Sequence, residues 1–225
     1  MGATAVHSHG FWVPEKEVRR FEDCGEFEGL PNLDVRKVAN CAALCTSFGT
    51  ALDVGAYIGI ISTYLARKFN RVIAFEAVPD TFDLLRQNIA ALTNVTPLKV
   101  AVGESAGEVF FTHYPTHGQL SHVIGPNDEP KTVKIGPLPV QAIDSLELPE
   151  VSFIKIDVEG HELPVVQGAR ETILRCRPLV MIEQGGNEEK HFGRPRHEAA
   201  AFLEGLGMAR HPREPTMNKD RLYTF

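Results

Sequence analysis

From residue 50 onward the chain alternates apolar runs of strand length with amphipathic stretches of helix length, and this alternation limits the possible folds most. "TALDVGA" (50–56) reads as a strand entering a turn, and "GIISTYLARKF" (59–69) has helical spacing. "RVIAFEA" (71–77) is a second strand, "PDTFDLLRQNIAAL" (79–92) a helix with Pro79 in its first turn, and "TPLKVAVG" (96–103) a third strand. Parallel neighbours need crossover connections, and helical crossovers cover both faces of a sheet. The expected fold is therefore α/β, a mostly parallel Rossmann-like sheet with helices on both faces.

The pattern continues after an antiparallel excursion through "EVFFTHY" and "KTVKIGPLPVQAI". "VSFIKID" is a fourth strand, "LPVVQGARETILR" a helix, "PLVMIEQ" a fifth strand, "RHEAAAFLEGLG" a helix, and "MARH" with "RLYTF" a closing hairpin. Residues 1–48 precede the first core strand and are expected to pack on the core as an extension, with an amphipathic helix around "LDVRKVANCAALC". The main domain is expected over 49–225, with an insert at about 107–142 whose segment 112–136 reads as a mobile loop facing a second substrate.

Open parallel sheets bind ligands beyond the carboxyl ends of their strands. The turn after the first strand is "DVGAYIG": Gly55 permits close approach of the backbone to a ligand, Gly59 lets a helix start against the strand, and Asp53 is placed to accept from a ligand ammonium. The spacing is G-x-x-x-G, not the G-x-G-x-x-G of a dinucleotide site, which argues against a nicotinamide-dependent oxidoreductase. Glu76 ends the second strand, where an acidic side chain receives two ribose hydroxyls. Each residue alone reads as an ordinary turn glycine or strand end. Together they suit a nucleoside carrying an amino-acid tail, the make-up of S-adenosylmethionine.

In "IKIDVEGHEL" (154–163) Lys155, Asp157 and Glu159 recur at every second position, a charged stripe on one side of a buried strand. Such a stripe needs partners or a task. For Lys155 a structural ion network is the expectation.

"LDVGAYIG", "VIAFEAVPDTFDLLRQN", "VAVG" and "SFIKIDVEGHELPVVQGA" occur in this order and spacing, and over roughly 48–185 the chain resembles the FkbM family of S-adenosylmethionine-dependent methyltransferases. The resemblance implies a class I methyltransferase fold of seven strands with the last antiparallel. It implies methyl transfer to a hydroxyl of a sugar, glycan or other small natural-product acceptor. Cofactor contacts are expected from Asp53, Gly55, Ala56, Tyr57, Gly59, Glu76, Ala77, Val102 and Asp157. Ala77 and Val78 replace a proline-containing turn common in the family, and Tyr57 replaces a small polar residue such as Asn. The catalytic candidates are Asp157, Glu159 and His161: a neutral imidazole at His161 is the expected general base, with Glu159 or Asp157 as competitors.

Twenty-nine acidic against 23 basic residues leave a net charge of -6, so nucleic acid and anionic membrane are not expected partners. The clustering of Arg194, Arg196, Arg210, Arg213, Lys219 and Arg221 toward the end of the sequence leaves a local basic patch open, with a solvated surface as the ordinary reading. No apolar run has the length of a membrane span and no signal-peptide pattern opens the chain; a cytoplasmic enzyme is the expectation. The four cysteines read as free thiols. His113, His117 and His122 lack an anchoring carboxylate at ligand spacing, so no metal is expected and surface or substrate-contact roles are assigned instead. Trp12 is a candidate lid over the cofactor. A non-catalytic nucleotide-binding module on the same fold and an NAD-dependent oxidoreductase stay open as alternatives.

Overall fold

Two hairpins and two helices precede the alternating core: β1 (Ala5–Ser8), β2 (Phe11–Pro14), α1 (Val18–Asp23), β3 (Glu26–Phe27), β4 (Leu30–Pro31) and α2 (Val35–Ala42). The computed structural model describes residues 4–112, 121–129, 133–214 and 219–225. The expected helix over 33–45 is α2. Its Val35, Val38, Ala39, Cys41 and Ala42 are buried, a recurrence that keeps one face apolar. Phe11, Val13, Phe21, Leu30 and Val38 share one apolar cluster with Ile58, Leu65 and Phe153, so the extension packs directly on the core.

The core follows as β5 (Thr50–Val54), α3 (Ile60–Ala66), β6 (Arg71–Phe75), α4 (Pro79–Asn88) and β7 (Val95–Leu98). An excursion comes next, β8 (Ala101–Val102), β9 (Gly107–Thr112) and β10 (Lys134–Gln141), with β9 antiparallel and β8 parallel to β10. The chain returns through β11 (Phe153–Ile156), α5 (Glu162–Gln167), α6 (Arg170–Cys176), β12 (Leu179–Glu183), α7 (Asn187–Phe192), α8 (Glu198–Gly205), β13 (Ala209–Arg210) and β14 (Asp220–Thr224). The main sheet has seven strands in the order β13-β14-β12-β11-β5-β6-β7. Its β12, β11, β5, β6 and β7 run parallel, and β14 is antiparallel to β12. This is the expected class I methyltransferase sheet.

Side-chain alternation divides the core in two. Leu52, Val54, Ile154, Ile156, Val180 and Ile182 build the cluster on one face, while Ala51, Phe153 and Met181 face the other. Both faces are covered, which is why the central strands read as nearly continuous apolar runs.

Three expectations are corrected in detail. "TPLKVAVG" is not one strand: β7 ends at Leu98, and Ala101 and Val102 pair with Val140 and Gln141 in a separate sheet ordered β8-β10-β9. "LPVVQGARETILR" is two helices. It breaks at Gly168, where an added Cβ would lie 2.0 Å from the Gly103 carbonyl oxygen, so close backbone approach overrides helical continuity. The charged stripe is not one strand face, since β11 stops at Ile156 and Glu159 adopts φ 54° in a left-handed turn. Only Lys155 stands within the strand.

Candidate active site

Beyond the carboxyl ends of β5, β6 and β11 lie two cavities that share Gly55, Tyr57, Asp157 and Glu159. The first, about 600 Å³, is walled by Phe75, Glu76, Ala77, Val100, Ala101, Val102 and His161. The second, about 950 Å³, is walled by Ala56, Ile60, Arg20, Asp34, Lys37, Lys155, Glu183, Lys219 and Asp220. The first has apolar walls with Glu76 added to the shared Asp157 and Glu159; the second is crowded with charge of both signs. The N-terminal extension supplies Arg20, Leu33, Asp34 and Lys37 to the second cavity, a contribution its composition did not signal.

The glycine turn is built for close approach. Gly55 has φ 80°, and a Cβ there would meet the Asp157 carbonyl oxygen at 2.0 Å, so only glycine lets β5 leave the sheet against the end of β11. Tyr57 takes a left-handed φ of 52°, and its N–H donates to Glu76 Oε2 at 2.9 Å. The other Glu76 oxygen accepts from the Val78 N–H and the Thr81 hydroxyl, each at 2.9 Å. Burial pushes the Glu76 carboxyl up to about 7 against those donors. Oε1 thus has both lone pairs engaged, while Oε2 retains capacity for one more donor. Ala77 and Val102 line the same cavity.

Lys155 answers the question its strand raised. It pairs with Asp53 across β5 and β11 in direct register, Nζ to Oδ1 at 3.4 Å, and stands 3.7 Å from Asp157. It also donates to the Gly55 carbonyl at 2.9 Å. Burial works to discharge the ammonium, but the Asp53 and Asp157 carboxylates outweigh it and hold the lysine charged.

Asp53 is a correction. Its exposure is 0% and it borders neither cavity; besides Lys155, it accepts from the Ser62 hydroxyl at 2.7 Å. Side-chain alternation on β5 turns it inward, so it anchors the turn and cannot meet a ligand ammonium. Gly59 is likewise a packing residue. With φ 89° it caps α3, and a Cβ would stand 2.6 Å from Leu85 Cδ1.

The three catalytic candidates separate. Asp157 and Glu159 lie at the seam of the cavities, and one carboxylate oxygen from each lies within 4.8 Å of one from Glu183. Burial, reinforced by Asp157, raises the Glu159 carboxyl, while Asn187 Nδ2 donates to it at 2.5 Å. Lys219 pairs with Glu183. His161 borders the first cavity only, and burial together with Arg194 pushes its imidazole down to about 4. Its Nδ1 has no hydrogen-bond partner among the described residues.

Other expectations also change. Trp12 is 42% exposed, borders neither cavity and is tied through its backbone to Asn88, so it is no lid. His122 is not a surface residue: it is 2% exposed and bonded to Thr112 and Asp128. His113 and His117 lie outside the described residues. The basic cluster is broken up by pairing, Arg194 with Glu198, Arg196 with Glu189 and Arg210 with Glu214. The four cysteines are free. Among the described residues no helix is long and apolar enough to cross a membrane.

A parallel sheet with this strand order, an antiparallel final strand and a paired cavity at the strand ends defines the class I methyltransferase fold. The chain belongs to the FkbM methyltransferase domain family, whose model matches residues 53–208. It is 31% identical over 155 residues to the hexuronic acid methyltransferase AglP of Haloferax volcanii, covering 68% of this chain and 63% of that one. It is 28% identical to the methyltransferase sdnD of Sordaria araneosa over 71% of this chain and 74% of that protein. The chain thus spans somewhat under two thirds of the length of AglP. The solved FkbM methyltransferase from Methylobacillus flagellatus superposes with a TM-score of 0.53 at 20% identity, over 80% of this chain and 44% of that one.

Proposed function

We propose that the chain is an S-adenosylmethionine-dependent O-methyltransferase acting on a hydroxyl of a sugar, glycan or other small natural-product acceptor. The observation that carries this reading is the seam of the two cavities, where Gly55, Tyr57, Asp157 and Glu159 border both. The residues fit the cofactor. Glu76 Oε2 suits a ribose hydroxyl, the apolar walls with Ala77 and Val102 suit adenine, and the unpartnered His161 Nδ1 suits a hydrogen bond to the adenine edge. AglP is named for a hexuronic acid, and a sugar acid is accordingly the first acceptor class to assay.

The bound cofactor supplies an electrophilic methyl group on a sulfonium. The chain's work is to hold acceptor oxygen, methyl carbon and sulfur in line and to exclude water. An alcohol must also lose its proton. Glu159 is the base of choice, because it stands at the seam and its burial makes the carboxylate more basic than one in water. An imidazole held near 4 is a weak base, so the role first expected of His161 passes to Glu159.

The test is calorimetric titration with S-adenosylmethionine and S-adenosylhomocysteine, with NAD as control, followed by radiolabelled methyl transfer to uronic acids, oligosaccharides and small polyols. Product mass spectrometry locates the methyl group. Binding of NAD in place of the two sulfur nucleosides would overturn the reading, and binding without transfer to any acceptor would select the non-catalytic alternative.

A further inference from the structure

Apart from the paired cavities, three metal-ligating side chains from two segments converge in the interior. His122 and Asp128 lie in the stretch after β9, and His191 lies on α7. Asp128 Oδ1 is 3.1 Å from His122 Nε2 and 2.7 Å from His191 Nδ1. The three donor atoms all fall within 4.8 Å of one another. His122 is 2% exposed and His191 6%, and their rings stack with centroids 3.6 Å apart.

We infer that His122, Asp128 and His191 form a binding site for a divalent transition ion of the zinc type, which clasps the segment 121–129 to α7. Two imidazole nitrogens and a carboxylate are donors such ions take. The outer contacts are those that orient ligands. Thr112 Oγ1 lies 3.2 Å from the far ring nitrogen of His122, and the Gly125 N–H donates to the second Asp128 oxygen at 2.8 Å. With the His122 proton on Nδ1, where Thr112 accepts it, Nε2 presents a lone pair to an ion. Gly125 makes the approach possible, since a Cβ there would lie 2.1 Å from the His191 carbonyl oxygen.

The consequence reaches the first cavity, because Ser121 and Val123 of the clasped segment line it. The sequence alone led to the expectation of no metal for a specific reason. The site's carboxylate stands six residues after His122, and its second histidine is 69 residues away, on a short helix without a strong pattern.

The test is independent of methyl transfer. Tag-free, chelator-treated full-length protein is titrated with Co²⁺ and its visible absorption followed; Zn²⁺ is then added as competitor. Expected are one Co²⁺ per chain at low micromolar concentration, displacement by Zn²⁺, and one zinc per chain by elemental analysis. Asp128→Asn and His191→Gln, checked for folding by circular dichroism, are expected to weaken Co²⁺ binding at least a hundredfold, and His9→Gln to leave it unchanged. Wild-type protein that takes up no Co²⁺ at 50-fold excess would overturn the site without reference to any variant. So would folded Asp128→Asn protein that binds as wild type does, and either result would return the cluster to a hydrogen-bonded core network.

Discussion

Replacing Lys155 with methionine isolates the ion pair beneath the glycine turn. Asp53 has no exposure and Lys155 only 7%, so the substitution strands a carboxylate whose remaining side-chain partner is the Ser62 hydroxyl. Removing one member of a buried pair costs about 3–5 kcal/mol, and for a domain of this size each kcal/mol lowers Tm by roughly 2–4 °C. The expected drop at pH 8 is therefore roughly 6–20 °C. The double variant Asp53→Asn/Lys155→Met removes both charges and is expected to recover at least half the loss.

The pH dependence supplies the sharper check. Without the ammonium, burial of Asp53 favours its protonated form, so its folded pKa stands well above the unfolded value. A carboxyl raised in this way keeps its full stability below the unfolded pKa of about 4 and loses it as pH climbs through the folded value, at about 1.4 kcal/mol per unit. The deficit of Lys155→Met against wild type is thus expected to shrink from pH 8 toward pH 4. Denaturant melts across that range measure it. A deficit independent of pH, or a double variant no more stable than the single one, would refute the argument.

Other outcomes follow from the same geometry. S-adenosylmethionine affinity, read by calorimetry, is expected to fall as pH drops through about 7, because the ionised Glu76 is the better acceptor for a ribose hydroxyl; a flat profile between pH 6 and 8 would contradict that. Glu76→Gln is expected to weaken cofactor binding roughly ten- to hundredfold, the loss of a charge-assisted hydrogen bond worth about 1.5–3 kcal/mol. Glu159→Gln is expected to cut turnover by at least about a hundredfold with cofactor affinity near wild type, whereas His161→Gln weakens cofactor affinity and leaves the pH profile of turnover unchanged. Gly168→Ala, which drives a methyl group into the Gly103 carbonyl, is expected to lower Tm in a thermal melt with no effect specific to the cofactor.

The core was legible because its signal is local. Strands β5, β6, β11 and β12 are apolar runs, each followed by a helix, and period tells one from the other. What escaped depends on contacts distant in sequence. The hairpins β1-β2 and β3-β4 are two to four residues per strand, too short to show a period, and α7 is a six-residue helix capped by Gly186. The break in "LPVVQGARETILR" is set by Gly103, 65 residues upstream of Gly168, and no propensity of the segment itself announces it.

The same division runs through the site. Glu76 was placed from the strand pattern because a residue just past the end of a parallel strand is carried to the crevice by topology alone, whereas Ala77 and Val102 came with the family resemblance. Asp53 stands one pleat earlier, and that single step moves its side chain from the crevice to the interior, beside Lys155. A chain that puts a buried lysine opposite a buried aspartate, and has that lysine also donate to the Gly55 carbonyl, spends its strand charges on holding the turn. The carboxylates left at the seam, Asp157 and Glu159, are those beyond the end of β11, where the regular backbone stops and side chains are released toward the cavities. In this sheet the end of the strand, more than the identity of the residue, divides anchoring charge from charge available for chemistry.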